Sequence, residues 1–469
     1  MSRALPTIIQ GGMGIAVSDW RLANAVARAG QLGVVSGTAI DAVLVRRLQR
    51  GDGDGHVRRA LGAFPVPEVA EKIVDKYYVD GGIAPEHPFK RGPMPRSVPS
   101  TLGTDLLVAA NFVEVFLARE GHTADVGINF LEKIQVPTLP SIFGAILAGV
   151  DFVLMGAGIP RSIPRVIDDL SAGRASTLRF EVKGASGDTP ETAFDPAPYL
   201  GEVTSLSRPD FLGIVSSHVL ATMLARLDSP ADGFIVEGAT AGGHNAPPRG
   251  KPTFTPDGQP VYSDRDTADL EAMRNLGLPF WLAGGQASPE ALAEARAEGA
   301  AGIQVGTAFA FCEESGLDPE LKATLIGQAL AGDAAVFTDP IASPTGFPFK
   351  ILTTGSTGSG EAERERVCDL GYLRVAYERD DASIGWRCPA EPVDQFVRKG
   401  GAIEETEGRK CLCNALMANI GLGQVRDDGV AEPPIVTTGD DLESIRRFMT
   451  EGSTSYAAAD VIAGLLQPT

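Results

Sequence analysis

The chain has 469 residues, of which 43% are hydrophobic and 22% are charged, and its formal net charge at pH 7 is −19. This composition supports a packed core and excludes wholesale disorder. The acidic balance argues against binding to nucleic acids or to acidic membranes, because both require clustered Lys and Arg.

Neither a targeting segment nor a membrane span is expected. The N-terminal residues lack an export signal, and the least polar long window, 142–159, is interrupted by Asp151 and rich in Gly and Ala. This window predicts a core helix followed by a buried strand. Five cysteines, an odd number, without an export signal predict a reduced, cytoplasmic protein.

Short apolar segments alternate with helical patterns along the chain, which predicts a parallel sheet covered on both faces. A ninth candidate strand, 178–183, is assigned to an excursion, although it could replace 211–215. The eight strands assigned to the sheet predict a closed (β/α)8 TIM barrel, which takes about 250 residues. They lie at 7–10, 32–36, 125–130, 151–155, 211–215, 233–236, 280–283 and 302–305.

A minimal barrel is assigned to residues 1–50 and 124–338. Two further segments of the chain are not required to form it. Residues 51–123 contain helical patterns, and we expect a helical insertion after strand 2 that serves as a lid or an oligomerisation element. Residues 339–469 form a C-terminal extension with four of the five cysteines. Its glycine-rich run, 352–360, predicts a flexible connection rather than a nucleotide-binding loop.

Glycine-rich turns follow the last two strands. Gly284 and Gly285 follow 280–283, and Gly306 and Thr307 follow 302–305. In a parallel barrel, the N–H groups of these two turns and a helix N-terminus bind phosphate, and Thr307 can add a hydroxyl donor. Tight turns alone also require glycine, but two consecutive turns of this kind favour a phosphate site.

Residues after other strands can border a flat ring. Gly11 and Gly12 offer exposed backbone, and Met13 offers a soft thioether, although a flexible turn with a core methionine would look the same. The amides of Asn129 and Gln304 can hydrogen-bond to the edge of a ring. A strand glutamine can equally bond to the neighbouring backbone.

His244 is the predicted proton-transfer residue. It follows Gly242 and Gly243 at the end of strand 233–236. The ordinary histidine pKa lies near neutrality, so His244 is expected to take and give a proton. His218 is the second candidate, and Glu237 is expected to orient a cofactor hydroxyl or His244.

Five motifs, distributed over most of residues 5–330, resemble those of the nitronate monooxygenase (2-nitropropane dioxygenase) family, which also contains FMN-dependent enoyl-acyl-carrier-protein reductases. They are Gln10-Gly11-Gly12-Met13, Gly127-Ile128-Asn129, Ala241-Gly242-Gly243-His244, Ala283-Gly284-Gly285 and Gln304-Val305-Gly306-Thr307. The resemblance implies one FMN, bound non-covalently, with His244 as the active-site histidine. It implies the phosphate at Gly284, Gly285, Gly306 and Thr307, and the ring near Gly12, Met13 and Asn129.

The C-terminal extension indicates which branch of the family the chain resembles. Residues 385–392 and 408–414 resemble the long branch of the family. That branch includes trans-acting enoyl reductases of polyunsaturated-fatty-acid and polyketide synthases.

The resemblance implies two reactions. In the first, FMN oxidises a nitronate, O2 reoxidises the flavin, and a carbonyl compound and nitrite leave; His244 acts as base or positions the anion. In the second, NAD(P)H supplies hydride through FMN to an enoyl thioester, and His244 binds the carbonyl or protonates the α-carbon. An acyl carrier protein would then be a partner. For the second and third hypotheses alike, Lys90, Arg91 and Arg96 are candidate docking residues for this acidic partner, although a solvated loop of the insertion would also carry such charges.

A third hypothesis is a flavin-binding partner protein of a synthase that does little chemistry. The partners expected are therefore a small-molecule substrate, an acyl carrier protein for the second and third hypotheses, and a second copy of the chain if it forms a homo-oligomer.

Four cysteines could bind zinc or an iron–sulfur centre. Their spacing is not that of a CxxC…CxxC ribbon, so we expect reduced, packed thiols and no metal. They are Cys368, Cys388, Cys411 and Cys413.

Overall fold

The barrel predicted from the strand pattern is confirmed in a computed structural model that describes residues 4–185, 189–354, 364–426 and 429–468. Eight parallel strands form one sheet in the order β1-β8-β7-β6-β5-β4-β3-β2, and a parallel bridge between Ile9 and Leu32 closes it. The strands are β1 (Ile8–Gln10), β2 (Gly33–Ser36), β3 (Val126–Leu131), β4 (Phe152–Gly156), β5 (Asp210–Val215), β6 (Gly233–Glu237), β7 (Phe280–Ala283) and β8 (Gly302–Val305).

Apolar side chains fill the interior of the barrel. They include Leu154, Ile235 and Trp281, all with no more than 1% of their surface exposed. The indole N–H of Trp281 donates to the carbonyl of Pro6, 2.8 Å away, just before β1. This packing closes the N-terminal end of the barrel and leaves the C-terminal ends of the strands to form a site.

Helices cover the outside of the sheet. Asp19 caps the first of them by accepting from the N–H groups of Arg21 and Leu22. The helices between and after the strands, apart from the insertion, are Trp20–Arg28, Thr138–Leu147, Ile163–Ser171, His218–Ala225, Leu270–Arg274, Pro289–Ala297, Thr307–Ala310 and Pro319–Ala331.

The insertion after β2 is helical, as predicted. Its last helix, Thr101–Ala118, packs against Trp20–Arg28 and Thr138–Leu147, and so joins the outer ring of the barrel. By length and composition this helix could cross a membrane, but 72% of it is buried, and it carries buried Asp105 and Glu114. This is the environment of a core helix. The preceding helices are Ile40–Gln49, His56–Gly62 and Pro67–Tyr77.

The excursion between β4 and β5 lies outside the barrel, so the ninth candidate strand does not replace β5. It forms an antiparallel pair of strands, Ser176–Arg179 and Glu191–Phe194. A further short strand, Val182–Lys183, pairs in parallel with Val375–Glu378 of the C-terminal extension.

The C-terminal extension folds back over the barrel. Its first hairpin pairs Ala334–Asp339 with Phe349–Thr354, and its second pairs Val375–Glu378 with Ile384–Arg387. Of the glycine-rich run 352–360, the residues from 355 on lie outside the described part. The helices of the extension are Val393–Arg398, Leu412–Ala418 and Ala458–Leu465; short 3-10 helices lie at Ala197–Tyr199, Asp264–Asp266, Ile403–Thr406 and Leu442–Phe448.

A buried ion-pair network joins the first outer helix to the insertion. Arg47 bridges the carboxylates of Asp19 and Glu114, whose side chains are 2% and 4% exposed. Arg47→Ala would leave the carboxylate of Glu114 buried without its paired cation, next to Asp19, which would keep only the half-exposed Arg21 at 3.1 Å. We therefore expect the free energy of unfolding to fall by about 3 kcal/mol. Urea denaturation measures it. Arg398→Ala, which removes an exposed pair with Asp394, is the control and should cost less than about 0.5 kcal/mol.

Candidate active site

A cavity of about 240 Å3 lies at the C-terminal ends of the barrel strands. The turns after β1, β6, β7 and β8 and the end of β3 contribute to its wall. The residues predicted to bind the cofactor and the first proton-transfer candidate, His244, all line this cavity: Gly11, Gly12, Met13, Asn129, Glu237, Gly242, Gly243, His244, Gly284, Gly285, Gln304, Gly306 and Thr307. His218 is not among the lining residues, and its Nδ1 accepts from the N–H of Asp269, 3.3 Å away.

The C-terminal extension supplies a second wall, which sequence reasoning missed. Barrel residues Ser36, Thr38 and Thr240, also missed, contribute as well. The one usable signal in the extension was a glycine turn after the apolar run 434–436, of the same kind as the barrel turns. The lining residues from the extension are Phe349, Leu416, Thr437, Thr438, Gly439 and Asp441.

Two of the glycines are required by their surroundings. A Cβ atom on Gly12 would lie 2.2 Å from Cβ of Asn129. Gly284 has φ +91°, and a Cβ atom there would lie 2.9 Å from Oγ1 of Thr240. At Gly306, by contrast, the nearest atom to an added Cβ is Sδ of Met13, 3.9 Å away. The backbone of Gly306 therefore faces open space in the cavity.

Two amide side chains at the cavity are incompletely bonded. Nδ2 of Asn129 donates to the carbonyl of Gly12, 3.2 Å away. Its Oδ1 and the Oε1 of Gln304 are buried and have no hydrogen-bond partner among the described residues. A buried polar atom without a partner costs roughly 1–3 kcal/mol. These two acceptors therefore fit a bound molecule that presents an N–H donor on a flat edge, as the isoalloxazine ring of a flavin does at N3.

Thr307 differs from its predicted role. Its hydroxyl oxygen accepts from the N–H of Gly439, 2.9 Å away, and its hydroxyl hydrogen bonds to the Asp441 carboxylate. The hydroxyl is thus engaged by the extension, and the backbone N–H groups of the glycine turns are the donors that remain for a phosphate. Among the described residues no Lys or Arg lines the cavity.

His244 is held at the edge of the cavity by the extension. Its Nε2 lies 2.7 Å from Oγ of Ser343, and its ring packs edge-on against Phe349 with 4.8 Å between centroids. Burial lowers the pKa of His244 to about 4. The imidazole is therefore neutral at physiological pH, whereas the sequence alone indicates a proton exchanger that titrates near neutrality.

Glu237 ends β6 and also lines the cavity. Burial raises its pKa to about 7, well above the usual carboxyl range. No hydrogen bond joins Glu237 to His244 in the described part of the chain, so Glu237 does not orient this histidine directly. Its carboxyl group faces the cavity instead, where it can meet a ligand hydroxyl.

The raised pKa of Glu237 predicts a pH-dependent stability of the flavin-free protein. The folded state keeps this carboxyl protonated up to about pH 7, whereas the unfolded state ionises it near the ordinary glutamate pKa of 4.5, so stability falls as pH rises between these values. Glu237→Gln removes this loss. At pH 8 the variant should exceed the wild type in free energy of unfolding by roughly 1–3 kcal/mol, and at pH 4.5 the two should agree. Equal stability at both pH values would contradict the assignment.

The open space at Gly306 predicts a selective loss of ligand binding. Gly306→Ala should leave the free energy of unfolding of the flavin-free protein within about 1 kcal/mol, since the added methyl group meets no protein atom closer than 3.9 Å. It should weaken FMN binding at least about tenfold, measured by quenching of flavin fluorescence. The control is Gly327→Ala in helix Pro319–Ala331, where an added Cβ also meets no atom within 4 Å.

Fold and site together define the class of protein. A (β/α)8 barrel presents glycine turns and unpaired amides to one cavity at the C-terminal ends of its strands, and this arrangement is that of a flavin-dependent oxidoreductase. Residues 196–369 match the family model of nitronate monooxygenase. This match spans β5 to β8 and the beginning of the extension, and it agrees with the resemblance indicated by the sequence motifs.

Solved structures of three proteins superpose on this chain over 98% of its length. FabK from Thermotoga maritima is 17% identical, with 91% of its chain covered and a TM-score of 0.49. A nitroalkane oxidase from Streptomyces ansochromogenes is 14% identical, with 94% covered and a TM-score of 0.47. The enoyl reductase domain of MlnA, from the macrolactin biosynthesis cluster of Bacillus amyloliquefaciens, is 12% identical, with 93% covered and a TM-score of 0.47. A search of curated protein sequences found no match.

Proposed function

We propose that the chain binds one FMN in the cavity at the mouth of the barrel and oxidises nitronates with O2. The observation that carries this proposal is the cavity itself, where the glycine turns, the unpaired amide oxygens of Asn129 and Gln304 and the side chain of His244 meet. Bound FMN would supply the group that accepts electrons from the substrate and returns them to O2.

The residues that would hold the cofactor come from both walls of the cavity. The backbone of Gly284, Gly285 and Gly306 would bind the phosphate through N–H groups, as glycine turns in barrels do. Asn129 and Gln304 would accept hydrogen bonds from the ring through their unpaired oxygens. Gly11, Gly12, Met13, Gly242 and Gly243 would border the ring and its tail.

His244 would position the substrate as a hydrogen-bond donor. The backbone N–H of Thr345 donates to Oγ of Ser343, 3.2 Å away, and the hydroxyl of Thr345 lies 2.8 Å from the same oxygen. When the hydroxyl of Thr345 also donates to Ser343, the hydroxyl of Ser343 donates to Nε2 of His244. The imidazole proton then lies on Nδ1, which is free to donate to an anion.

A neutral His244 favours the nitronate reaction over enoyl reduction. A nitronate is already an anion and requires a donor for its oxygens, not a base. Protonation of the α-carbon of an enoyl thioester requires an acid, and with a pKa of about 4 only about one molecule in a thousand would carry imidazolium at pH 7. Enoyl reduction with NAD(P)H, with an acyl carrier protein as partner, therefore ranks second, and a non-catalytic flavin-binding partner third.

We infer that the protein works in a reducing cytoplasm, in keeping with its five free cysteine thiols.

A nitronate is a small molecule, so the proposed reaction requires no carrier protein as a partner.

Anaerobic mixing tests the proposal. The purified protein is loaded with FMN and mixed separately with propionate-3-nitronate, NADPH and NADH. We expect only the nitronate to bleach the flavin, and admission of O2 to restore its colour and release nitrite. His244→Ala should retain FMN and lower kcat/KM for the nitronate by about 10²-fold or more, while the control His218→Ala, outside the cavity, should not change it.

The other outcomes separate the alternatives. Bleaching by a nicotinamide followed by reduction of an enoyl thioester would replace the proposal with the enoyl reductase. A bound flavin that none of these reagents reduces would indicate the partner protein. Failure of the purified chain to take up FMN would overturn all three.

A further inference from the structure

A second cavity, larger than the flavin cavity, lies between the excursion and the C-terminal extension. Its volume is about 520 Å3, within the range of roughly 300–1,000 Å3 that is usual for small-molecule sites. The loop after β3 and the insertion complete its wall. Among the described residues none lines both cavities, so this space is separate from the flavin site.

The excursion and the extension frame this cavity by pairing their strands. Strand Val182–Lys183 pairs with one edge of Val375–Glu378, and Ile384–Arg387 pairs with the other edge. Because three hydrogen-bonded strands form this wall, the cavity is a defined part of the fold and not a gap between loops. Each strand contributes a lining residue: Val182, Ala376 and Trp386.

Most of the wall is apolar. Phe180, which is 2% exposed, stacks on the indole of Trp386 with 5.9 Å between the ring centroids. Ile134 from the loop after β3 is 7% exposed and also lines the cavity. Such a wall favours an occupant with an apolar body, because binding removes apolar surface from water. Cζ of Arg374 lies 5.9 Å from the centroid of the same indole, so a cation adjoins this apolar wall.

The polar part of the wall has an excess of positive charge. Lys133, Lys183 and Arg374 line the cavity, and Glu181 is the one carboxylate among its described lining residues. The side chain of Glu181 is 81% exposed and lies 3.7 Å from Nζ of Lys133. Lys183 pairs with Glu405, 2.8 Å away. Exposed pairs of this kind are weak, so an anion can compete for Lys133. In a chain of net charge −19, this local excess of cations favours an anionic ligand.

Arg374 is the cation of the cavity that has no acidic partner. Its Nε donates to the carbonyl of Gly371, 3.0 Å away, and its Nη2 donates to the carbonyl of Pro95, 2.7 Å away. In the described part of the chain it forms no salt bridge, and its Nη1 donates to no atom. The carboxylate of Glu391 acts on it electrostatically but is paired with Lys399. A guanidinium fixed by two carbonyls, with N–H groups left over, is suited to bind a carboxylate.

We propose that this cavity binds an organic carboxylate with an apolar body, such as a fatty acid anion. The carboxylate would accept hydrogen bonds from the unused N–H groups of Arg374, and Lys133 would add positive charge. The apolar body would lie against Phe180, Trp386 and Ile134. Because the two cavities share no lining residue, this site is independent of the flavin and of the substrate that the flavin oxidises.

Isothermal titration calorimetry of the full chain with dodecanoate, below the concentrations at which dodecanoate forms micelles, tests the site. We expect about one molecule bound per chain with a Kd below about 100 µM. FMN should leave this affinity unchanged. Dodecyltrimethylammonium, which joins the same apolar chain to a cationic head, should bind at least about tenfold more weakly.

A charge-removing variant tests the role of the guanidinium. Arg374→Gln should weaken the binding of dodecanoate at least about tenfold, because it removes the charge that would face the carboxylate. The matched control is Arg379→Gln in the turn of the same hairpin. Arg379 bonds to Ser383 and does not line the cavity, so this variant should bind dodecanoate as the wild type does.

The wild type alone decides the matter if Arg374→Gln does not fold. A dodecanoate Kd above about 100 µM, or an affinity that does not exceed that for dodecyltrimethylammonium by about tenfold, would overturn the proposal. Loss of dodecanoate binding in the presence of FMN would place the ligand in the flavin cavity and would overturn it too. An unchanged affinity in folded Arg374→Gln would have the same consequence. The titration does not require FMN, so a chain that fails to take up FMN still tests this site.

Discussion

The segment that carries His244 depends on the C-terminal extension for its position. It is a glycine-rich loop, and glycine loops have little conformational preference of their own. The C-terminal extension restrains this loop through hydrogen bonds to its backbone. The N–H of Lys350 donates to the carbonyl of Gly243, and the N–H of Asn245 donates to the carbonyl of Pro348, each over 3.0 Å. The hydroxyl of Thr437 accepts from the N–H of Gly243, 2.8 Å away.

Packing of the extension on the loop also affects the pKa values at the site. The extension packs Phe349 against the imidazole and places Ser343 at its Nε2. Removal from water lowers the pKa of His244, and burial at the end of β6 raises that of Glu237. The neutral histidine, on which the choice of reaction rests, is thus a consequence of how the two parts of the chain pack.

The sequence sufficed where local pattern determines structure. Apolar strands and glycine turns predicted the barrel and the residues that converge at its mouth, because the strand ends of a parallel barrel must meet at one face. The sequence did not predict the parts of the site that are formed by segments far apart along the chain. Leu416 and Asp441 lie more than one hundred residues beyond β8, and no spacing rule brings them to the cavity.

The same limit applies to the environment of His244. The ordinary pKa of histidine indicates a proton exchanger, but the burial that lowers the pKa of His244 is a tertiary effect that the sequence does not show.

The central claim is that the extension forms part of the flavin site. Hydrogen–deuterium exchange measured by mass spectrometry, with and without FMN, tests it most directly. The account predicts that FMN slows exchange in the barrel turns at 284–286 and 304–307 and, in the same experiment, in segments 347–350 and 437–441 of the extension. Protection confined to the barrel turns, with the extension unchanged, would contradict it.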